Sequence, residues 1–309
     1  MTREVRIIIT GAGGLVGQHV MHALSAIPQG RPVGVVRTTR SSSTGVSDYV
    51  VADLENAAQV QGLATYAPDV IVHTAARLPR SFDDKEAASS NAAIDSHVIR
   101  LAEETGASLI YLSSTSVYAN SPLPWMETAE IGALSDYAAA KRYTELLLRA
   151  LPSPTATIRI GSPYSAVGVD KPSVLYSFVK QAVAGQNLMV AGAGLRSQDF
   201  IHANDVAVAI RKAIDYLLQP RSTVTAELFN IGSGAPVTMA SLAETVVEVC
   251  GSGRVVFTGI SGGNDEYRAD MNIDHAKAIL DWRPAVPLET GIAQLARRLR
   301  GGNEDWLSI

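Results

Sequence analysis

The chain has 309 residues, 47% apolar and 18% charged, which allows a sizeable core over about two domains' length and excludes wholesale disorder. A formal net charge of −4 argues against a nucleic-acid binder, which needs a basic face. One cysteine, no apolar run near the ~18 residues of a membrane span and no leader peptide before the first strand pattern lead us to expect a soluble, cytoplasmic protein in a reducing compartment.

In chain order, residues 5–10 read as a strand, 15–27 as a helix, 32–37 as a strand and 55–66 as a helix. Residues 70–76 follow as a strand, 86–106 as a long helix stopped by Gly106, and 108–114 as a strand. Residues 136–151 are a helix and 155–160 a strand. Strands spaced by helices imply βαβ units, hence an α/β fold with a doubly wound parallel sheet. Beyond about residue 160 the rhythm turns irregular. We assign 1–165, with about 200–235 returning to it, to the first domain, and 166–199 and 236–309 to a smaller lobe. Cys250, at a helix end, reads as a buried structural thiol.

The stretch TGAGGLVG joins the first strand to the first helix, with Gly11, Gly14 and Gly17 three apart and Leu15 and Val16 opening the helix. Glycine permits positive φ and close backbone approach, and a helix N-terminus offers unpaired N–H groups to a phosphate. At a strand–turn–helix position this spacing points to a dinucleotide's pyrophosphate.

Tyr137 and Lys141 stand four apart on a predicted helix, so they share a face. A neighbouring ammonium favours the phenolate and lets a tyrosine exchange a proton near neutral pH. The hydroxyls of Ser113, Ser114, Thr115 and Ser116 follow a predicted strand, at the carboxyl end where such sheets bind ligands. His73, inside an apolar strand, reads as a satisfied core histidine.

With these motifs go Asp53–Leu54, VIVHTAA (70–76), Asn91, LSSTSVY (112–118), RIGSPY (159–164), DFIHANDVA (199–207), FNIGSG (229–234) and ILDWRP (279–284). Together they resemble the extended short-chain dehydrogenase/reductases, the nucleotide-sugar epimerase/dehydratase family. The resemblance implies a Rossmann-type cofactor domain with a C-terminal substrate-binding lobe. It makes Tyr137 the acid/base, Lys141 its tuner and ribose holder, and Ser114, with Thr115 as fallback, the catalytic hydroxyl. Asp53 and Leu54 would meet the adenine, Ala75 and Ala76 would line the cofactor channel, and Asn91 would join the cofactor site. A helix N-cap is the competing reading for Asp53, and a plain polar helix position for Asn91. Asp205 resembles a structural position and reads as a helix cap.

In NAD-using members of that family the second strand ends on an acid. Here it ends on Arg37, with Arg40 behind it. A guanidinium suits the extra phosphate of NADP, so NADP(H) is the expected cofactor and no metal is expected; two merely solvated arginines are the alternative. Net reduction by NADPH of a carbonyl on a nucleotide-linked keto-sugar is the favoured activity. Epimerisation of a nucleotide sugar and a non-catalytic NADP-binding regulator are the alternatives. The Asp–Glu pair that dehydratases carry after the catalytic hydroxyl is replaced by Thr115 and Ser116. Relatives that bind sugar nucleotides often have Asn where this chain has Ser162, and Arg where it has Gln198. Thr115, Ser162, Arg196 and Arg268 are the substrate candidates, the arginines for a diphosphate. A homodimer through the helices at 86–105 and 136–151 also follows from the resemblance.

Overall fold

A computed structural model describes residues 4–27, 30–38, 48–168, 172–219, 226–260 and 265–302. Arg40, with its neighbours Thr39 and Ser41, lies outside the described residues.

Seven strands form one sheet: β1 (Val5–Thr10), β2 (Gly30–Val36), β3 (Tyr49–Val51), β4 (Val70–His73), β5 (Ser108–Ser114), β6 (Thr155–Ile160) and β7 (Ala226–Ile231). Their spatial order is β7-β6-β5-β4-β1-β2-β3, every pairing parallel. The order reverses between β1 and β4, so a crevice opens beyond their carboxyl ends.

The strands are continuous apolar runs because both sheet faces are covered. Side chains alternate in β1: Ile7 and Ile9 join one core with Val20, Met21 and Ile210, while Ile8 joins the other with Val98 and Leu101. Helices α1 (Leu15–Ser25) and α6 (Ala203–Leu217) lie on the first face. On the second lie α2 (Ala57–Gly62), α3 (Lys85–Thr105) and α4 (Asp136–Leu148). Asp84 and Ser135 cap α3 and α4, accepting from the backbone N–H of Ala87 and Ala138.

Among the described residues the remaining α-helices are α5 (Val174–Val183), α7 (Met239–Cys250), α8 (Asp274–Leu280) and α9 (Leu288–Leu299). Leu175, Val179, Leu242, Val246, Ile292 and Leu295 knit α5, α7 and α9 into a separate core. Cys250 is buried there and burial pushes its thiol pKa up, as suits an inert packing group.

Two buried acids stitch the parts together. Asp199 accepts from the backbone N–H groups of Ser233 and Gly234 at 2.6 and 3.0 Å. Asp205 accepts from Val286 N–H at 3.0 Å, so it ties down the segment after α8 instead of capping α6. The cap of α6 is His202, whose Nδ1 accepts from Asn204 N–H at 3.2 Å. Among the described residues no helix is long and apolar enough to cross a membrane.

Candidate active site

The carboxyl ends of β1, β2, β4 and β5 open into a cavity of about 860 Å³. Its floor is the glycine turn before α1. Gly11 has φ +69°, and a Cβ there would stand 2.7 Å from the Cα of Ala75. A Cβ on Gly17 would collide with the Gly11 carbonyl oxygen. Gly14, the N-cap of α1, brings no side chain to the helix's first N–H groups. The turn is a bare backbone cradle of the kind a pyrophosphate fills, and side chains would close it.

One end of the cavity carries Arg37 and Thr38 after β2 and Asp53, Leu54 and Glu55 after β3. Arg37 is exposed, and no ion pair engages it among the described residues. Asp53 accepts from Glu55 N–H at 3.0 Å, and the N-cap of α2 is Asn56, which overturns the cap reading of Asp53. Glu55 is tied to Ser90, whose hydroxyl donates to it at 2.6 Å. Ala75 and Ala76 also line the cavity.

Tyr137 and Lys141 reach the cavity from one face of α4. Lys141 is 2% exposed; its Nζ donates to the Leu112 carbonyl at 3.0 Å and sits 4.4 Å from the centre of the Tyr111 ring and 5.9 Å from that of Tyr137. Beneath them lies a buried polar chain. Thr10 Oγ1 meets His73 Nδ1 at 2.6 Å, and His73 Nε2 meets Asp95 Oδ1 at 3.0 Å. Asp95 Oδ2 accepts from Tyr111 and Thr144 hydroxyls at 2.5 and 2.8 Å. Burial pushes the Asp95 carboxyl up, but the Lys141 charge and the His73 and Tyr111 hydrogen bonds outweigh it and hold it at about 2. His73 is thus a core histidine with both nitrogens engaged.

Four expected site residues are placed elsewhere. Ser114 and Thr115 are off the cavity wall, which carries Ser113 instead; β5 ends at Ser114, whose Oγ turns to accept from Ser116 N–H at 3.2 Å. Ser113 Oγ points away and donates to Glu145 at 2.5 Å. Asn91 spends both ends of its amide on the Arg77 backbone, at 2.7 and 2.9 Å, so it holds the loop after Ala76 and does not face the cavity. Arg268 donates to the carbonyls of Asp265 and Tyr267 and is likewise off the wall.

Ser162 and Arg196 do line the cavity, with Gln198 and Tyr176. The Arg196 guanidinium lies 5.6 Å from the Tyr267 ring centre, and its buried Nε has no partner among the described residues. Tyr176 and Asp95 escaped the sequence reading. For Asp95 the signal was present: a carboxylate on the apolar face of α3 between Ile94 and Val98.

Residues 7–232 match the family described as the NAD dependent epimerase/dehydratase family. UDP-glucuronic acid decarboxylase 1 of Xenopus tropicalis is 24% identical over 307 residues, covering 93% of this chain and 70% of its own. UDP-glucuronic acid decarboxylase 3 of Arabidopsis thaliana is 23% identical, covering 96% and 90%. Among solved structures, the UDP-glucose 4-epimerase of Thermotoga maritima with UDP-glucose superposes with a TM-score of 0.82 at 20% identity, over 96% of this chain and 99% of that one. The UDP-glucuronic acid 4-epimerase of Bacillus cereus, in complex with UDP-glucuronic acid and NAD, gives 0.81 at 19% identity, with the same coverage. The superpositions establish a common fold.

Proposed function

Since this chain belongs to the NAD-dependent epimerase/dehydratase family, we propose that it is an NADP(H)-dependent enzyme that reduces a carbonyl on a nucleotide-linked keto-sugar. The glycine cradle fits a dinucleotide pyrophosphate, with Leu15 and Val16 beside it and Ala75 and Ala76 along the channel. When bound, the nicotinamide supplies or takes up a hydride. The protein's own part is proton transfer and orientation. Tyr137 gives its phenolic proton to the substrate oxygen, and the Lys141 ammonium steadies the phenolate left behind. Ser162 and Gln198 hold the sugar end. Arg196 is poised for a diphosphate, because its unpartnered Nε lacks the hydrogen bond that a phosphate oxygen provides. UDP-sugars, named in the relatives above, supply that chemistry.

The observation that carries the NADP(H) assignment is Arg37, exposed on the cavity wall where β2 ends. Fluorescence titration of the purified protein should show NADPH binding at least about tenfold tighter than NADH, a difference of about 1.4 kcal/mol. Arg37→Ala should remove that preference and leave NADH affinity as it was. Equal affinities in the parent chain would overturn the assignment.

Epimerisation is the second reading, favoured by the epimerases among the solved neighbours. An epimerase returns its hydride to its own substrate and consumes no reductant. Turnover of a UDP-sugar without added NADPH would select it; consumption of NADPH in step with a ketone selects the reductase.

A further inference from the structure

We propose that Asp95 is a positioning residue for this reaction: it is the buried counter-charge that holds the Lys141 ammonium in place beside Tyr137. The proposal rests on the assignment of Tyr137 as proton donor.

Asp95 lies among apolar side chains of α3 and the sheet, Ile94, Val98 and Leu109 among them. Burying a carboxylate there costs more than burying a leucine, so the charge has to be offset by specific partners. Asp95 is 2% exposed, and its hydrogen bonds come from three elements: His73 of β4, Tyr111 of β5 and Thr144 of α4. The titratable groups facing it are His73, Tyr111 and Lys141.

Lys141 has a matching need. Its near neighbours, the Leu112 carbonyl and the Tyr111 ring face, are neutral, and a buried ammonium needs a counter-charge. The buried carboxylate of α4 itself, Glu145, is already paired with Arg159 at 2.7 Å and accepts from Ser113. That leaves Asp95 for Lys141. Tyr111 couples the two: its hydroxyl donates to Asp95 at 2.5 Å while its ring lies under the ammonium. Donation to an anion enriches the ring and strengthens its hold on the cation. The chain continues through His73 to Thr10, the residue before the glycine turn, so cofactor floor and proton donor share one polar spine.

The test needs no substrate. The Tyr137 phenol is titrated by ultraviolet difference against Tyr137→Phe in each background. In Asp95→Asn the Lys141 side chain loses the counter-charge that holds it in place, and the phenolate loses its partner. Tyr137 should then ionise at a pH higher by about one unit or more. Tyr111→Phe, which keeps the ring and removes the bridge to Asp95, should give a smaller shift in the same direction. A Tyr137 titration unmoved or shifted downward in the folded variants overturns the proposal. If Asp95→Asn does not fold, Tyr111→Phe decides: an upward shift supports the proposal and none refutes it. An upward shift in a protein that reduces no ketone supports the positioning role and counts against the reductase reading alone.

Discussion

At the scale of single residues, the site turns on a phenol half-buried at the cavity wall and an ammonium fully buried one helical turn away. Tyr137→Phe removes only the exchangeable proton. It should lower turnover by about 10²–10⁴ and leave dinucleotide binding by fluorescence unchanged. A loss of binding equal to the loss of rate would make Tyr137 a packing residue. Gly17 tests the floor of the site. A methyl at that position meets the Gly11 carbonyl, so Gly17→Ala has to push α1 off the turn. Dinucleotide affinity should fall more than tenfold, with a lower melting temperature by calorimetry.

At the scale of elements, His202 ends the ribbon strand Phe200–His202 and caps α6. Its ring lies edge-on to Tyr164 and His19, and burial pushes its pKa down to about 4. The folded protein thus keeps this imidazole neutral down to about pH 4, while the unfolded chain protonates it near ~6.5. Its contribution is whole above about pH 6.5 and is lost as the pH falls toward 4, on the order of 3 kcal/mol in all. Urea unfolding at a series of pH values should show that decline. His202→Asn, which retains an acceptor for the α6 cap, should flatten it.

At the scale of the whole molecule, α4 carries Tyr137 and Lys141, the proposed catalytic pair, on its inner face and bare apolar side chains on its outer one. Tyr143, Leu146 and Leu147 are 59%, 50% and 36% exposed. An apolar helix face in water favours a partner, and a second copy packing α3 and α4 against their equivalents would cover it. Sedimentation should report a dimer at micromolar concentration. Leu146→Asp should shift it to monomer without altering dinucleotide binding. A monomer in the parent chain would refute this arrangement.

Much of the fold was legible along the chain because it is written in local periodicity. The alternation in VRIIIT, the glycine spacing of the turn and the four-residue step from Tyr137 to Lys141 are set by strand and helix geometry, whatever packs against them. β3 escaped because three residues at a sheet edge carry too short a pattern to read. What tertiary structure alone decided are the pairings between elements. It turned the Asn91 amide onto the Arg77 backbone, swung Ser114 into a cap and brought Arg196 onto the cavity wall. It also set Asp95 of α3 beneath Lys141 of α4. Such contacts depend on how far one element slides and turns against another, and that register is fixed by the summed packing of both sheet faces, which no short stretch of sequence contains.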